Sequence, residues 1–374
     1  MTTNGADQAA GRLDALALAG LDVSTAATSI SQVVQQALPF QAACLAPADP
    51  ATELITAALK FGELHSDADD QWAYWEYEAG ERWDFQSTAR RPGGVTTTHT
   101  ETEGRPAASA RHQEYFRDVF GFDDEMRVAL RLDGHTWGFM ALFRTGPHPF
   151  TPAEMSYMSD LAPRIARCFR SSLIAGATTT LGSGTGPIVV VVDAQGTICQ
   201  ASLGAEARLA ELELAPAGAE QLPVVLSTLA AAARAQHAGR YPQVPRMRLR
   251  SRSGGWVVAH ASPMRSLDGS RTDVVITVEE ARPPEVIPLV VAAFGLTPRE
   301  QAVVGLVLQG VSTTEIAASL HLSAYTIQDH LKSIFDKAGV RSRRELIARV
   351  FYDQYAPRLA AEPSLTPSGW FNNP

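Results

Sequence analysis

Apolar residues recur along the chain at two periods, and the places where the period changes mark its elements. From Met126 to Arg144 the reading MRVALRLDGHTWGFMALFR holds two strands around Asp133-Gly134, a dipeptide suited to a two-residue hairpin turn. After Thr151-Pro152 the period lengthens. Met155, Met158, Leu161, Ile165, Cys168 and Phe169 follow three- and four-residue spacings, which predicts a helix with one apolar stripe. Pro187 to Ser202, reading PIVVVVDAQGTICQAS, predicts a buried strand, a turn at Asp193 to Gly196 and a second strand. Three further strands are expected around Arg246 to Arg252, Trp256 to Pro263 and Thr272 to Val278. An Ala/Leu-rich helical stretch precedes them.

Gly, Ser and Thr without periodicity over 176–186 predict a linker, and ARPPEVIP at Ala281 to Pro288 marks a second boundary. The expected regions are 15–175, 187–281 and 295–356, with a tail at 357–374. The order of helix, strands and closing helix in the first region resembles a GAF-type sensor domain. Two strands, helices and three antiparallel strands in the second resemble the PAS fold. The expected fold class is therefore α+β and multidomain, two α/β sensor domains followed by an all-α module. Fold likeness alone gives no function.

The last region reads LTPREQAVVGLVLQGVSTTEIAASLHLSAYTIQDHLKSIFDKAGVRSRRELIARVF. Thr297, Ser312 and Ser342 each have a glutamate three residues on, at Glu300, Glu315 and Glu345, and each pair predicts a capping box. Pro298 suits a first helical position and Gly310 a left-handed C-cap. Four helices are expected, at about 298–309, 313–320, 324–338 and 343–353. Only His321-Leu322-Ser323 joins the second to the third, with Ser323 as N-cap, and that short joint is helix-turn-helix geometry. Ile327, Leu331, Ile334 and Ala338 fall on one face of the third helix. At 100° per residue, Tyr325, Asp329, Lys332 and Asp336 fall opposite, with Gln328 and Ser333 on the flanks.

This segment closely resembles the LuxR-type helix-turn-helix regulators. The matching residues are LTPRE at 296–300, QG at 309–310, EIA at 315–317, LS at 322–323, TI at 326–327, HLKSIF at 330–335 and KAGVRSRREL at 337–346. The resemblance implies that the helix from Ser323 reads the major groove of double-stranded DNA while Ser312 to Leu320 supports docking. It also implies phosphate contacts at Thr326 and nearby basic residues, and a dimer made partly by the last helix. The expected DNA-facing set is Thr313, Ser323, Tyr325, Thr326, Gln328, Asp329, Lys332, Ser333, Lys337 and Arg343. One departure stands out: where the family usually carries a lysine followed by an apolar or small residue, this chain has Gln328-Asp329. Gln can pair with adenine and Asp can accept from cytosine N4, or the Asp is repelled by phosphate and weakens binding. Both readings stay open.

Charge changes the picture only when located. The chain carries −8, yet 296–351 holds seven basic against five acidic residues, so this module is +2 and the remainder −10. Cys44, Cys168 and Cys199 lie too far apart in sequence for a metal-binding spacing and are expected as reduced, buried thiols. No apolar run approaches the ~20 residues that cross a bilayer, so no membrane contact and a cytoplasmic location are expected.

VVVVDAQG opens like a phosphoacceptor receiver domain, but no aspartate lies between Asp193 and Asp268 to take a phosphoryl group. LGSGTGP at 181–187 lacks the ending of a phosphate-binding loop, and no HExxH, GxSxG or strand-linked GxGxxG is present. No enzyme activity, cofactor or metal is expected. The aromatic run QWAYWEYEAGERWDF offers Trp72, Trp75, Tyr77 and Trp83 as the lining of a small-molecule effector site, with packing into a core as the competing account. The expected function is a homodimeric, sequence-specific transcription regulator, with RNA polymerase as an admissible partner. The alternative is a ligand-binding sensor whose last helices dock a protein.

Overall fold

The structure, a computed structural model, describes residues 3–64, 69–175, 187–212, 222–251, 255–265 and 272–352. Among them, residues up to Glu280 form one compact unit, 255 and 256 excepted, and those from Ala281 belong to a second. The linker expected at 176–186 and the tail expected at 357–374 lie outside the described residues.

The first unit opens with α1 (Thr3–Leu18), α2 (Val23–Ala37), β1 (Ala42–Pro47) and β2 (Leu59–Gly62). Helix α3 (Asp69–Ala73) runs into a π-helical turn at Tyr74–Glu78, followed by α4 (Phe85–Arg90), β3 (Val95–Thr97) and α5 (Thr98–Glu101). A second π-helical turn at His112–Arg117 leads into α6 (Asp118–Phe120), then β4 (Asp124–Leu132), β5 (His135–Arg144) and α7 (Pro152–Ala175). The five strands form an antiparallel sheet in the order β2-β1-β5-β4-β3. The expected hairpin is present. Asp133 and Gly134 take φ angles of 52° and 79°, so both turn residues adopt the left-handed conformation that matches strand twist, and Leu132 pairs with His135.

Strand alternation gives this sheet two different faces. Leu45, Met126, Val128, Leu130, Met140 and Leu142 are fully buried on the face that α7 covers, and Met158, Leu161, Ile165, Cys168 and Phe169 of α7 are buried as the helical period predicts. The opposite face has a floor of Ala42, Ala46, Ala129 and Ala141 under Phe85, Tyr115, Phe116, Phe139 and Phe143.

The same unit continues with β6 (Ile188–Val192), β7 (Ile198–Ala201), α8 (Ala205–Leu212), α9 (Val224–His237), β8 (Arg246–Arg250), β9 (Trp256–Arg265) and β10 (Thr272–Glu280). These strands build a second antiparallel sheet, β7-β6-β10-β9-β8, whose order repeats that of the first. Asp193 sets the β6–β7 turn, its Oδ1 accepting from the amides of Gln195 and Thr197 at 2.9 Å each. Helix α9 is buried on all sides along Val225–Ala233, which its alanines permit, because it meets β10 as well as α3 and the first π-helical turn. Polar links join the two sheets. Arg248 Nε donates to Asp49 at 2.8 Å, Tyr241 Oη donates to the Thr52 carbonyl at 2.9 Å, and Arg234 donates to Glu78 at 2.9 Å.

The second unit comprises α10 (Pro283–Ala293), α11 (Pro298–Leu308), α12 (Thr313–Ser319), α13 (Ala324–Ala338) and α14 (Arg343–Ile347), with a π-helical turn at Ala348–Tyr352. Helix α10 occupies the stretch read from sequence as a boundary. Pro283-Pro284 resembles a break, but proline in a first turn sacrifices no helical hydrogen bond, and Glu285 accepts from the Arg282 amide at 2.7 Å to close that end. The last helix also ends earlier than expected, at Ile347, where the winding changes to π.

Gly138 has no room for a side chain: a Cβ there would lie 2.7 Å from the Ala46 carbonyl and 2.9 Å from the Phe169 ring. Gly138→Ala should therefore cost about 1–3 kcal/mol through overpacking between β1 and α7. Urea unfolding with an unchanged midpoint would disprove that contact.

Candidate nucleic-acid interface and sensor core

The helix-turn-helix is assembled by its caps. Thr297 accepts from the Glu300 amide while Glu300 accepts from the Thr297 amide at 2.7 Å, and Ser312 and Glu315 repeat the exchange, so two expected capping boxes are complete. The third is half made. Ser342 accepts from the Glu345 amide, but the Glu345 carboxylate turns to the Arg341 amide at 2.7 Å. Sequence spacing cannot distinguish these two targets, because they are adjacent backbone donors.

Between α12 and α13, His321 takes φ 53°, the left-handed conformation usually left to glycine, and this reverses the chain in three residues. Arg299 Nη2 donates to the Leu320 carbonyl at 2.6 Å, satisfying the end of α12. Ser323 then caps α13, its hydroxyl accepting from the Thr326 amide at 3.0 Å and lying 2.8 Å from the Thr326 hydroxyl. Ile327, Leu331, Ile334 and Ala338 are all buried, as the helical period predicts. Tyr325, Gln328, Asp329, Lys332 and Asp336 are exposed, Tyr325 at 77%.

The expected DNA-facing residues divide by what they touch. Ser323, Tyr325, Thr326, Gln328, Asp329 and Lys332 lie on the first two turns and outer face of α13 or at its cap, and half-buried Thr313 opens α12. Ser333, Lys337 and Arg343 are engaged within the unit. Ser333 Oγ and Lys337 Nζ both donate to Glu300, each at 2.6 Å at closest. Arg343 donates to the carbonyls of Val307 and Val311 at 3.2 and 2.5 Å. Glu300 therefore ties the start of α11 to the third and fourth turns of α13. It is 4% exposed. Burial alone would raise its carboxyl, but hydrogen bonds from Lys337, Ser333 and Thr297 prevail and hold it at about 2.

In the first unit, Trp72 packs edge-on to Tyr77 at 6.2 Å and tilted to Phe85 at 6.3 Å, while Trp75 meets Tyr74 at 5.3 Å. Trp72 and Trp75 are half-buried against the aromatic core, and Trp83 is buried. Burial pushes the Tyr77 hydroxyl far above its ordinary value.

Beside these rings lies a cluster that sequence reading missed: Glu76, Arg111, Glu125 and Arg127, none more than 4% exposed. Arg127 donates to Glu76 at 2.8 Å, to Glu125 at 3.0 Å and to the Trp83 carbonyl at 2.7 Å; Arg111 donates to Glu125 at 3.1 Å. Burial raises both carboxyls, and the Arg111 charge opposes it. The available signal was Glu125 and Arg127 at alternate positions of a strand, on the same face as Ala129. Among the described residues no His, Cys, Asp and Glu grouping could hold a metal ion, and no helix is long and apolar enough to cross a membrane.

Residues 295–350 match the family model of bacterial regulatory proteins, luxR family, and residues 22–169 match that of the GAF domain. The chain thus carries a luxR-type module behind a GAF domain. A monoamine regulon transcriptional regulator of Klebsiella aerogenes is 34% identical over 107 residues, 25% of this chain and 44% of that protein. Response regulator Rre1 of Synechocystis is 45% identical over 51 residues, 14% and 22% of the two chains. The HTH-type transcriptional regulator MalT of Serratia proteamaculans is 36% identical over 61 residues, 16% and 7%. The chain spans less than half the length of each of these relatives. A solved Vibrio VqmA–ligand–DNA complex aligns with 47% of this chain and 85% of its own at 17% identity, with a TM-score of 0.20, too low to carry a fold argument.

Glu300 sets a pH-dependent prediction. Its folded pKa lies below the ordinary 4.5, so its stabilisation is complete above about pH 4.5 and fades as pH falls toward 2. Glu300→Gln should cost about 1.5–3 kcal/mol at pH 7, the usual range for hydrogen bonds to a charged group, with the deficit shrinking in acid. Urea titrations of both proteins at stepped pH check this; a deficit that persists unchanged at pH 2 contradicts it.

Proposed function

We propose that this chain is a cytoplasmic, sequence-specific DNA-binding transcription regulator, with α13 as the reading helix and the first unit as its sensor. The observation that carries the proposal is α13 itself. Its inner face is locked into the core by four buried side chains, a three-residue turn fixes it to α12, and Tyr325, Gln328, Asp329 and Lys332 stand free of that core on the outer face. In this reading Gln328 and Asp329 read base edges, Lys332 meets phosphate, and the Ser323-Thr326 cap with Thr313 sits against the backbone. Ser333, Lys337 and Arg343 then act mainly by orienting α13 and α14, since each gives hydrogen bonds inside the unit.

A dimer fits the apolar surplus of the last helix, where Leu346 and Val350 are buried and Ile347 and Phe351 remain half-buried. Two half-sites about one helical turn apart are then expected, with RNA polymerase as a further partner. The 187–281 region is read as a PAS-like domain, a reading supported by the strand order β7-β6-β10-β9-β8. A small-molecule effector bounded by Trp72, Trp75, Tyr77 and Trp83 is the proposed input, acting by its differential affinity for two arrangements of the chain.

Gel shifts with DNA from upstream of the chain's own coding region, at two salt concentrations, test the binding. Lys332→Ala should weaken binding several-fold and lower the salt slope by about one unit if it neutralises one phosphate. Unchanged affinity and slope would remove Lys332 from the interface, and no shift by the parent protein would favour a protein-docking role for these helices.

A truncation tests the sensor. Because both sheets belong to one compact unit, the cut belongs at Glu280, not between them. Residues 281–374 should keep binding the same DNA while promoter output loses its response to growth conditions. An unaltered response in reporter assays would contradict a sensory first unit.

A further inference from the structure

We propose that the buried ion cluster of the first sheet is a two-position switch in which Glu76 exchanges Arg127 for Arg111. The π-helical turn Tyr74–Glu78 would carry the exchange to α9 through the Glu78–Arg234 ion pair.

The two guanidinium groups are unequally served. Arg127 uses Nη1 on the Trp83 carbonyl, Nε on Glu125 and Nη2 on Glu76, all between 2.7 and 3.0 Å. Arg111 places only Nη2 on Glu125, at 3.1 Å; its Nε and Nη1 are buried without a hydrogen-bond partner. Each buried donor left unmet is a standing penalty. The missing acceptor is close by, because Arg111 Nη1 lies 3.9 Å from the same Glu76 oxygen that Arg127 holds. A displacement of roughly 1 Å would turn that gap into a hydrogen bond. Phe116 and Phe85 back the two guanidinium groups at 4.8 and 4.5 Å, so both partner positions are walled by rings that resist water.

Glu76 sits where such a displacement is easiest to make. A π-helical turn holds one residue more than an α-helical ladder accommodates, and short π segments mark sites where a helix can change register. The other Glu76 oxygen accepts from the Phe85 amide at 2.5 Å, a pivot at the start of α4. Two residues on, Glu78 accepts from Arg234 of α9 at 2.9 Å, and Arg234 also donates to the Asp193 carbonyl at 2.9 Å beside the β6–β7 turn. Movement of the turn at Glu76 therefore pulls on a side chain that clamps α9 and the second sheet. Burial disfavours the Glu76 and Glu125 charges, and Arg111 opposes that in both, so Arg111 already acts on Glu76 across the gap.

The exchange is readable without any effector, so its fate is separable from that of the ligand reading. Hydrogen exchange of the full chain, followed over peptides covering 74–78 and 224–237, tests it. Arg127→Lys keeps the buried charge but gathers its donors on one nitrogen in place of the three that reach Trp83, Glu125 and Glu76, which should drive Glu76 to Arg111 and speed exchange over 224–237 about tenfold, within the usual range of coupling between sites. Arg111→Lys removes the second position and should leave 224–237 at or below the parent rate. Arg234→Gln cuts the output, so the Arg127→Lys/Arg234→Gln double variant should exchange no faster over 224–237 than the faster single one. Equal effects of the two Arg→Lys changes, full additivity in the double variant, or an unmoved 224–237 segment would each overturn the switch. If Arg127→Lys does not accumulate as folded protein, Glu76→Gln replaces it: with the exchanging carboxylate gone, adding Arg111→Lys should change the rate over 224–237 no further, and a further change would overturn the switch.

Discussion

Four charges buried on one face of the first sheet constrain everything built around it. A carboxylate or guanidinium removed from water loses several kcal/mol of hydration, and only close pairing with good hydrogen bonds returns it. Glu125 and Arg127 come from β4, Glu76 from the π-helical turn after α3, and Arg111 from just before the second π-helical turn, so three separate stretches must meet within hydrogen-bond reach. That requirement fixes how the helical segments lie on the strands. The alanine floor at positions 42, 46, 129 and 141 follows from it, since larger side chains would occupy the volume that two guanidinium groups and their flanking rings require. Two further polar links, Arg248 to Asp49 and Tyr241 to the Thr52 carbonyl, then set the second sheet against the loop that follows β1.

Elements whose formation depends on neighbouring residues were legible before the structure. The Asp133-Gly134 hairpin, the stripe of α7, the Asp193 turn and the inner face of α13 each rest on spacing within a dozen or so residues, and each stands where spacing put it. What was illegible depends on partners far away in sequence. Glu76 and Arg127 are 51 residues apart, and nothing local to either announces the pairing. Ser333 was expected at DNA from the flank of the outer face of α13 and Lys337 as a nearby basic residue, and nothing local announces that Glu300, more than 30 residues earlier, accepts hydrogen bonds from both. Helix α10 was missed for a different reason. Prolines at 283 and 284 are indistinguishable in sequence from a loop, and only the capping of Arg282 by Glu285 identifies a helix start.

Short helices such as α12, seven residues long, are not stable alone, so the helix-turn-helix depends on what closes its ends. Two complete capping boxes, the Ser323 cap, and the contacts of Arg299 to the Leu320 carbonyl and of Arg343 to the Val307 carbonyl supply donors and acceptors that the backbone lacks there. Glu300 does more than cap. The same carboxylate that completes the first box holds the third and fourth turns of α13 through Ser333 and Lys337, so the rigidity of the outer face is inherited from α11.

This arrangement has a consequence for how the proposed reading face would discriminate. With Lys337 held by Glu300, the exposed outer face of α13 carries Lys332 against Asp329 and Asp336, a surface with no excess of positive charge. The rest of the chain outside 296–351 carries −10. Binding that rests on phosphate attraction is strong on any DNA and falls steeply with salt. In that proposal a face with so little attraction would gain its affinity instead from contacts that only a matching sequence completes: the amide of Gln328, the carboxylate of Asp329 and the ring of Tyr325 against base edges. Asp329 would then act in two ways at once, accepting from a cytosine where one is present and repelling phosphate where none is. Its presence would lower affinity for sites without that cytosine, and weak attraction to DNA at large would become part of how the correct site is found.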